Sequence, residues 1–295
     1  MLVATAAPAL AVEPVVVVNT GSQERAPAAS TTFLAWQVLS PRFHSNVRAQ
    51  AIGTDTSFRV NPKGTQAFTG GIDGSKLIYG QSVRGEDSDL VMVDLSTQTE
   101  LELPDGVNSN ADEFSPSISG SHLLFGRSGR HGEKVVLFDT TTLVSEVVYA
   151  KPDTDRREFT IIPTQVNGNY AVWQQLVFSN RTGDVSADVL LHDISAATTT
   201  KISSPDGERP ALYGPSVDVA GTVYFGRSSF ACGENAQLIS RALDGTETVL
   251  YEFPANRDFL YSNTVSNANN TTDVYFDRGS CRDQDSGDIW KLSGV

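Results

Sequence analysis

The chain reads as an all-β protein, a six-bladed β-propeller of four-stranded blades filling one domain. Three observations predict this. A turn followed by a short apolar strand ending in an aromatic recurs six times at near-constant spacing. The same order of further short strands and turns flanks each copy. No apolar run has the length and 3.6-residue period of an amphipathic helix.

The strongest copies are Asp73-Gly-Ser-Lys-Leu-Ile-Tyr-Gly-Gln81, Ser119-Gly-Ser-His-Leu-Leu-Phe-Gly-Arg127 and Val219-Ala-Gly-Thr-Val-Tyr-Phe-Gly-Arg227. Asn167-Gly-Asn-Tyr-Ala-Val-Trp-Gln-Gln175 follows the same grammar, and looser copies run Thr31–Gln37 and Thr271–Arg278. The aromatics are Trp36, Tyr79, Phe125, Trp173, Phe225 and Phe276, spaced by 43, 46, 48, 52 and 51 residues. A fixed period of this length is the mark of a propeller or other repeat fold.

After each aromatic comes a polar loop and a second apolar strand, as in Asp89–Asp94, Lys134–Asp139, Asp188–Asp193, Gln237–Arg241 and Asp288–Leu292, with a poorer copy at Val47–Ile52. A Thr/Ser-rich turn then leads to a third strand, such as Glu100–Leu103 or Ser145–Tyr149. Pro62, Pro104, Pro152, Pro205 and Pro254 end the units, since proline terminates strands and starts turns. Before each aromatic strand lies another short one, for example Phe114–Ser119 and Tyr213–Asp218. Four strands per unit and six units make a propeller; a β-sandwich has no reason to repeat one grammar six times. The last unit stops after its third strand, and Val15-Val-Val-Val18 precedes the first. The expectation is that this N-terminal strand becomes the outer strand of blade six, closing the ring and covering an open edge.

The formal charge of -13 gives no basic stripe for nucleic acid and disfavours adsorption to anionic lipid. Residues 1–11 are apolar and uncharged and end in Ala9-Leu10-Ala11, the pattern of the back half of a signal peptide, without the basic start of a complete one. Export follows, with residues 12–295 as the mature propeller in a secreted or periplasmic setting. No other stretch approaches the roughly 20 apolar residues of a membrane span. Cys232 and Cys281 fall in the same type of loop on adjacent blades. In an exported protein they would pair and staple blade five to blade six, stabilising by about 2–4 kcal/mol on the loop-entropy account.

Phe114-Ser-Pro-Ser-Ile-Ser-Gly-Ser-His-Leu-Leu-Phe-Gly-Arg127, followed by Lys134-Val-Val-Leu-Phe-Asp139, resembles the WD-repeat-like unit of TolB-type propellers. Such units cover the chain from about Pro27 to Val295. The resemblance implies a six-bladed ring used as a binding platform. It extends to the propeller part only: an α/β domain like the one that precedes the ring in TolB proteins is not expected, and most units lack the family's full Ser-Pro-Asp-Gly turn.

The sequence offers little chemistry. There is no Gly-x-Ser-x-Gly elbow for a nucleophilic serine, and no Asp-box. His44, His122, His131 and His192 form no metal pair, and no phosphate-cradling loop is present. Asp283-Gln-Asp285-Ser-Gly287-Asp288 is a poor calcium loop, because a glycine stands at the third ligand position. No catalytic set, cofactor or metal is therefore expected.

One constellation stands out. Two residues after each repeat aromatic lie Val38, Gln81, Arg127, Gln175, Arg227 and Arg278. In a propeller these positions form a ring on one face, beside loops carrying Asp105, Asp112, Glu113, Asp153, Glu158, Asp206, Glu208 and Asp258. Gln81, Arg127, Gln175, Arg227 and Arg278 are the expected ligand-binding residues of the channel mouth, through bidentate arginines; the other reading of them is ion pairing between blades. The functional expectation is a monomeric, non-enzymatic binding or scaffold propeller whose partner is a protein or a cell-envelope glycan. The alternative is a carbohydrate-active lyase or hydrolase acting in the central channel, which raised carboxyl pKa values at the mouth would favour.

Overall fold

The computed structural model describes residues 13–40, 44–83, 87–129, 132–151, 157–182, 185–202, 211–228, 236–254, 258–268, 271–280 and 287–295. Their regular structure is entirely β-strand. A short strand, β1 (Val15–Val18), comes first. The first set is β2 (Gln23–Ala29), β3 (Phe33–Leu39), β4 (Ser45–Ala51) and β5 (Ser57–Arg59), and the second is β6 (Gln66–Asp73), β7 (Lys76–Ser82), β8 (Ser88–Asp94) and β9 (Thr99–Leu101). The third is β10 (Glu113–Ser119), β11 (His122–Gly129), β12 (Gly132–Asp139) and β13 (Val144–Ala150). The fourth is β14 (Arg157–Asn167), β15 (Tyr170–Ser179), β16 (Val185–Asp193) and β17 (Thr198–Ile202). The fifth is β18 (Ala211–Val217), β19 (Val223–Ser228), β20 (Gln237–Arg241) and β21 (Glu247–Glu252), and the last is β22 (Asp258–Ala268), β23 (Thr271–Ser280) and β24 (Gly287–Leu292).

Sets two to five are separate four-stranded sheets, each an antiparallel meander. β1 pairs antiparallel with β24, with Val18 opposite Ile289. A single parallel bridge, Gln23 with Gly287, joins β2 to β24, so the first and last sets form one eight-stranded sheet. The first strands touch one another in chain order, and β22 also touches β2.

Every first strand carries a register shift: at Arg25/Ala28, Phe68/Gly71, Phe114/Ser117, Pro163/Gln165, Tyr213/Ser216 and Leu260/Asn263. In three of them a residue at positive φ (Ala26, Ser115 or Gly214) stands before a proline. Proline cannot donate to the ladder, and a bulge lets the chain step past the missing bond.

The core is six apolar clusters, each drawn from two consecutive sets, with the sixth joining β1, β23 and β24 to β2 and β3. Each repeat aromatic lies in a different cluster and packs against the preceding set, at no more than 1% exposure. Each sheet thus buries both faces, so runs such as Leu123-Leu124-Phe125 are continuously apolar instead of alternating.

The outer hairpins share one device. The carboxylates of Asp94, Asp139 and Asp193 accept backbone N–H bonds from Ser96, Thr141 and Thr142, and Ala196. Those bonds and the neighbouring hydroxyls hold all three pKa values below the usual range. Four residues after each aspartate the chain turns left-handed, at Gln98 (φ 56), Leu143 (φ 58) and Ala197 (φ 51).

Candidate functional site

The strand registers define two ends of the molecule. Each second strand begins at the hairpin with its first strand, as where Ser119 meets His122, and ends opposite that strand's start, as where Glu113 meets Arg127. Gln81, Gln175, Arg227 and Arg278 hold the Arg127 position in their sheets, opposite Ala67, Ile161, Leu212 and Leu260. Val38 holds it in the first sheet, opposite Glu24.

These side chains are already occupied. Arg127 donates from Nε to Glu113 Oε1 at 2.7 Å and from Nη2 to the carbonyls of Gly106 and Val107, tying down the loop that enters the third sheet. Arg227 lies over Phe225 and reaches Glu247 on β21 at 2.6 Å, a carboxylate it shares with Arg241. Both ion pairs stay within one sheet instead of crossing between sheets. Arg278 sits 4.5 Å from the Trp290 ring centroid and opposite Asp288 in the ladder. Gln175 is buried and accepts a bond from the Tyr149 hydroxyl, while Gln81 accepts one from Tyr79 at 3.3 Å.

Two carboxyls at this end are raised. Burial pushes Glu24 up, and the charge of Asp288 adds to it. Burial also raises Asp288, against the opposing effect of Arg278. Glu24 is 0% exposed, which closes it to any substrate.

At the hairpin end the first strands converge on a cavity of about 190 Å3. Its walls carry the polar Ser30, Asp73, Ser119, Asn167, Ser266 and Asn267, with no cation among the described residues of the lining. Within its lining two amides of the fourth set reach past the fifth to the sixth. Gln165 donates to the Val265 carbonyl at 3.2 Å, and Asn167 donates to Asn267 Oδ1 at 3.1 Å. The same side chains hold the fifth set: Val217 donates its N–H to Gln165, and Asn167 donates to the Val217 carbonyl. These residues did not stand out in the sequence. Their one signal is an amide at the end of a first strand where other copies have the carboxylate Asp73 or the hydroxyl Ser119.

The remaining residues read from the sequence fall as follows. His192 is buried against Thr199 with its pKa lowered by burial, and His122 lies 4.0 Å from Asp139. Asp112 caps the Ser88 N–H. Cys232, Cys281, His131, Asp153, Asp206, Glu208, Asp283 and Asp285 lie outside the described residues. Among the described residues no cluster of three or more His, Cys, Asp or Glu side chains could hold a metal ion, and no helix is long and apolar enough to cross a membrane.

Repeated four-stranded sheets stacked face to face around converging first strands define the β-propeller class. Solved structures agree. TolB from Acinetobacter baumannii superposes with a TM-score of 0.56 at 15% identity, over 93% of this chain and 65% of that one. A putative TolB from Agrobacterium tumefaciens gives 0.58 at 13% identity, covering 93% and 91%. The β-propeller domain of the Trilobed protease from Pyrococcus furiosus, described as having an open velcro topology, gives 0.53 at 10% identity, covering 93% and 96%. At these identities the likeness is one of fold. No family model matches the chain, and no curated protein matches it in sequence.

Proposed function

We propose that the chain is an exported six-bladed propeller, closed by β1 as the outer strand of the last blade, that works as a non-enzymatic binding platform for a protein or a cell-envelope glycan. The observation that carries this reading is the axial cavity at the hairpin end. Hydroxyls and amides from separate hairpins meet there around a floor fixed by the Gln165 and Asn167 cross-bonds. Hydroxyls and amides on a rigid base, with the Asp73 carboxylate as one further acceptor, suit main-chain amides or sugar hydroxyls.

Six sets, six shared clusters and the circular order of first-strand contacts support the blade count. The β1–β24 ladder supports the closure. Export rests on the Ala9-Leu10-Ala11 pattern, and a Cys232–Cys281 disulfide belongs to the same reading. The arginine end is the poorer mouth, because Arg127 and Arg227 are committed to carboxylates.

Immobilised full-length protein exposed to an extract of its own cell envelope tests this, with retained proteins and glycans identified. Exposed residues of the cavity rim are changed in Thr31→Arg and Val219→Arg, and the opposite end in Arg278→Ala. The expected result is one defined ligand whose retention falls at least tenfold in the rim variants alone. Loss confined to Arg278→Ala moves the site to the other end. A retained glycan that shortens on incubation makes the protein a carbohydrate-active enzyme.

A further inference from the structure

The axial cavity carries an uneven set of unspent hydrogen-bonding atoms. Every set of strands lends it a residue: Ser30, Asp73, Ser119, Asn167, Val219 and Ser266. Much of this polarity is used up between neighbouring hairpins. Ser30 donates to the Gly74 carbonyl at 2.7 Å, Asp73 Oδ2 accepts the Gly120 N–H at 2.8 Å, and Ser119 accepts the Gly168 N–H at 3.1 Å. Asn167 spends both amide N–H groups, on the Val217 carbonyl and on Asn267 Oδ1, each at 3.1 Å. A carbonyl can only accept, so the bond to Val217 fixes which end of the Asn167 amide is nitrogen.

Acceptors dominate the remainder. Asp73 and Asn167 each keep Oδ1, which no described group bonds. Ser266, 7% exposed, has a hydroxyl with no partner among the described residues, and its oxygen can accept as well. Asp73 is exposed and Asn167 half-buried, so both are open to solvent. Asp73 is the one charged side chain among the described residues of the lining, and the whole chain carries a charge of -13, which draws cations. An ammonium has three N–H donors and no acceptor, one for each of these three oxygens. A guanidinium fork needs both oxygens of a carboxylate, and Gly120 already holds one of Asp73's. The volume of about 190 Å3 lies below the roughly 300–1,000 Å3 of small-molecule pockets and suits the tip of one side chain. Ile72 and the exposed Val219 offer apolar contact to a methylene stem.

We propose that the axial cavity binds a primary ammonium, the tip of a lysine side chain presented by a partner protein. The ammonium donates to Asp73 Oδ1, Asn167 Oδ1 and the Ser266 hydroxyl, and the lysine stem leaves past Ile72 and Val219. This inference rests on the axial cavity being the binding end, and it names the group that enters there.

The test uses the full chain and two probes, Nα-acetyl-lysinamide and the same molecule acetylated at Nε, which has no charge. The side-chain amide resonances of Asn167 and Asn267 are followed in 1H–15N spectra at neutral pH. The charged probe is expected to move them, and the acetylated one to leave them in place. Asp73→Asn keeps an acceptor for the Gly120 N–H and should weaken the charged probe about fivefold, the scale of one exposed charge pair. Glu100→Gln, which removes the same charge on the outer strand β9, should change nothing. Equal movement with both probes, or undiminished affinity in Asp73→Asn, overturns the proposal. Tighter binding of glucosamine than of the lysine probe also overturns it, by assigning the cavity to an amino sugar. No movement with either probe overturns it too. The axial site itself then stands if retention of the envelope ligand still falls in Thr31→Arg and Val219→Arg, and is lost as well if that retention is unchanged.

Discussion

Glu24 and Glu113 hold the same place near the start of the first strand in the first and third sheets, but only Glu113 faces an arginine. Arg127 stands opposite Glu113, whereas Val38 stands opposite Glu24. Both carboxylates are fully buried. Glu113 is held by Arg127 and by the Ser109 hydroxyl at 2.6 Å. Glu24 has the Thr20 hydroxyl on one oxygen and, among the described residues, no partner on the other.

Glu24 should therefore reverse the usual acid sensitivity at its site. Its folded pKa is raised, first by burial and then by Asp288. The folded state binds this proton more tightly than the unfolded chain does. Its contribution is complete below the ordinary glutamate pKa and is lost as pH rises through the higher folded value. Glu24→Gln should flatten this slope and raise stability at pH 7 by about 1 kcal/mol, while changing little at pH 4. Urea midpoints at the two pH values check it; lower stability of the variant at pH 7 would refute it.

Arg127→Ala should destabilise by about 3–5 kcal/mol, because it leaves Glu113 buried and unpaired. Adding Glu113→Leu to Arg127→Met should recover most of that loss. Chemical denaturation of the single and double variants decides the matter. A mild effect of Arg127→Ala, with ligand retention lost in fully folded protein, would return Arg127 to the role of a ligand-binding residue.

The residue after each repeat aromatic gives a sharp contrast between glycines. A Cβ on Gly126 would lie 2.2 Å from the Phe114 ring, while one on Gly80 would meet nothing closer than Ser88 Oγ at 4.0 Å. Gly126→Ala should cost about 1–3 kcal/mol, as overpacking does, and Gly80→Ala should be close to neutral. Phe114→Leu combined with Gly126→Ala should be less harmful than the two separate losses together. Thermal melts of the four proteins measure this.

The left-handed hairpin residues Gln98, Leu143 and Ala197 should each tolerate glycine with a gain. A non-glycine residue in this conformation costs roughly 1–2 kcal/mol, part of which returns as lost entropy of the unfolded chain. Each substitution should stabilise by a few tenths to about 1 kcal/mol. Leu143→Gly also removes a side chain that is 64% exposed. A fall in melting temperature for all three would show that the Asp-capped turns tolerate the conformation without strain.

What could be read from the sequence was whatever repeats locally. The six aromatics, the strands after them and the Thr/Ser-rich outer turns sit where the spacing puts them, because both faces of every sheet need the same apolar run. The shared position of Gln81, Arg127, Gln175, Arg227 and Arg278 was also legible, since it follows from counting along one strand. Of their partners, Glu113 stood among the carboxylates expected beside them, and it holds Arg127; the partner of Arg227 was not legible. Glu247 lies on a different strand from Arg227, and only the ladder registers bring it near. The amides that link the fourth set to the sixth join residues 100 apart, and no local pattern marks such a contact.

The pairing of β1 with β24 also sets an order of events at the ribosome. β1 is the first of these strands to be made and β24 the last. At typical elongation rates of about 5–20 residues per second, its four valines wait on the order of tens of seconds for a partner. During that interval the first set is without the last set on its seam side, and the Trp36 face is bare. A nascent chain stalled before residue 287 should therefore keep this face open to chaperones, and release of the C-terminal strand is the step that retires it.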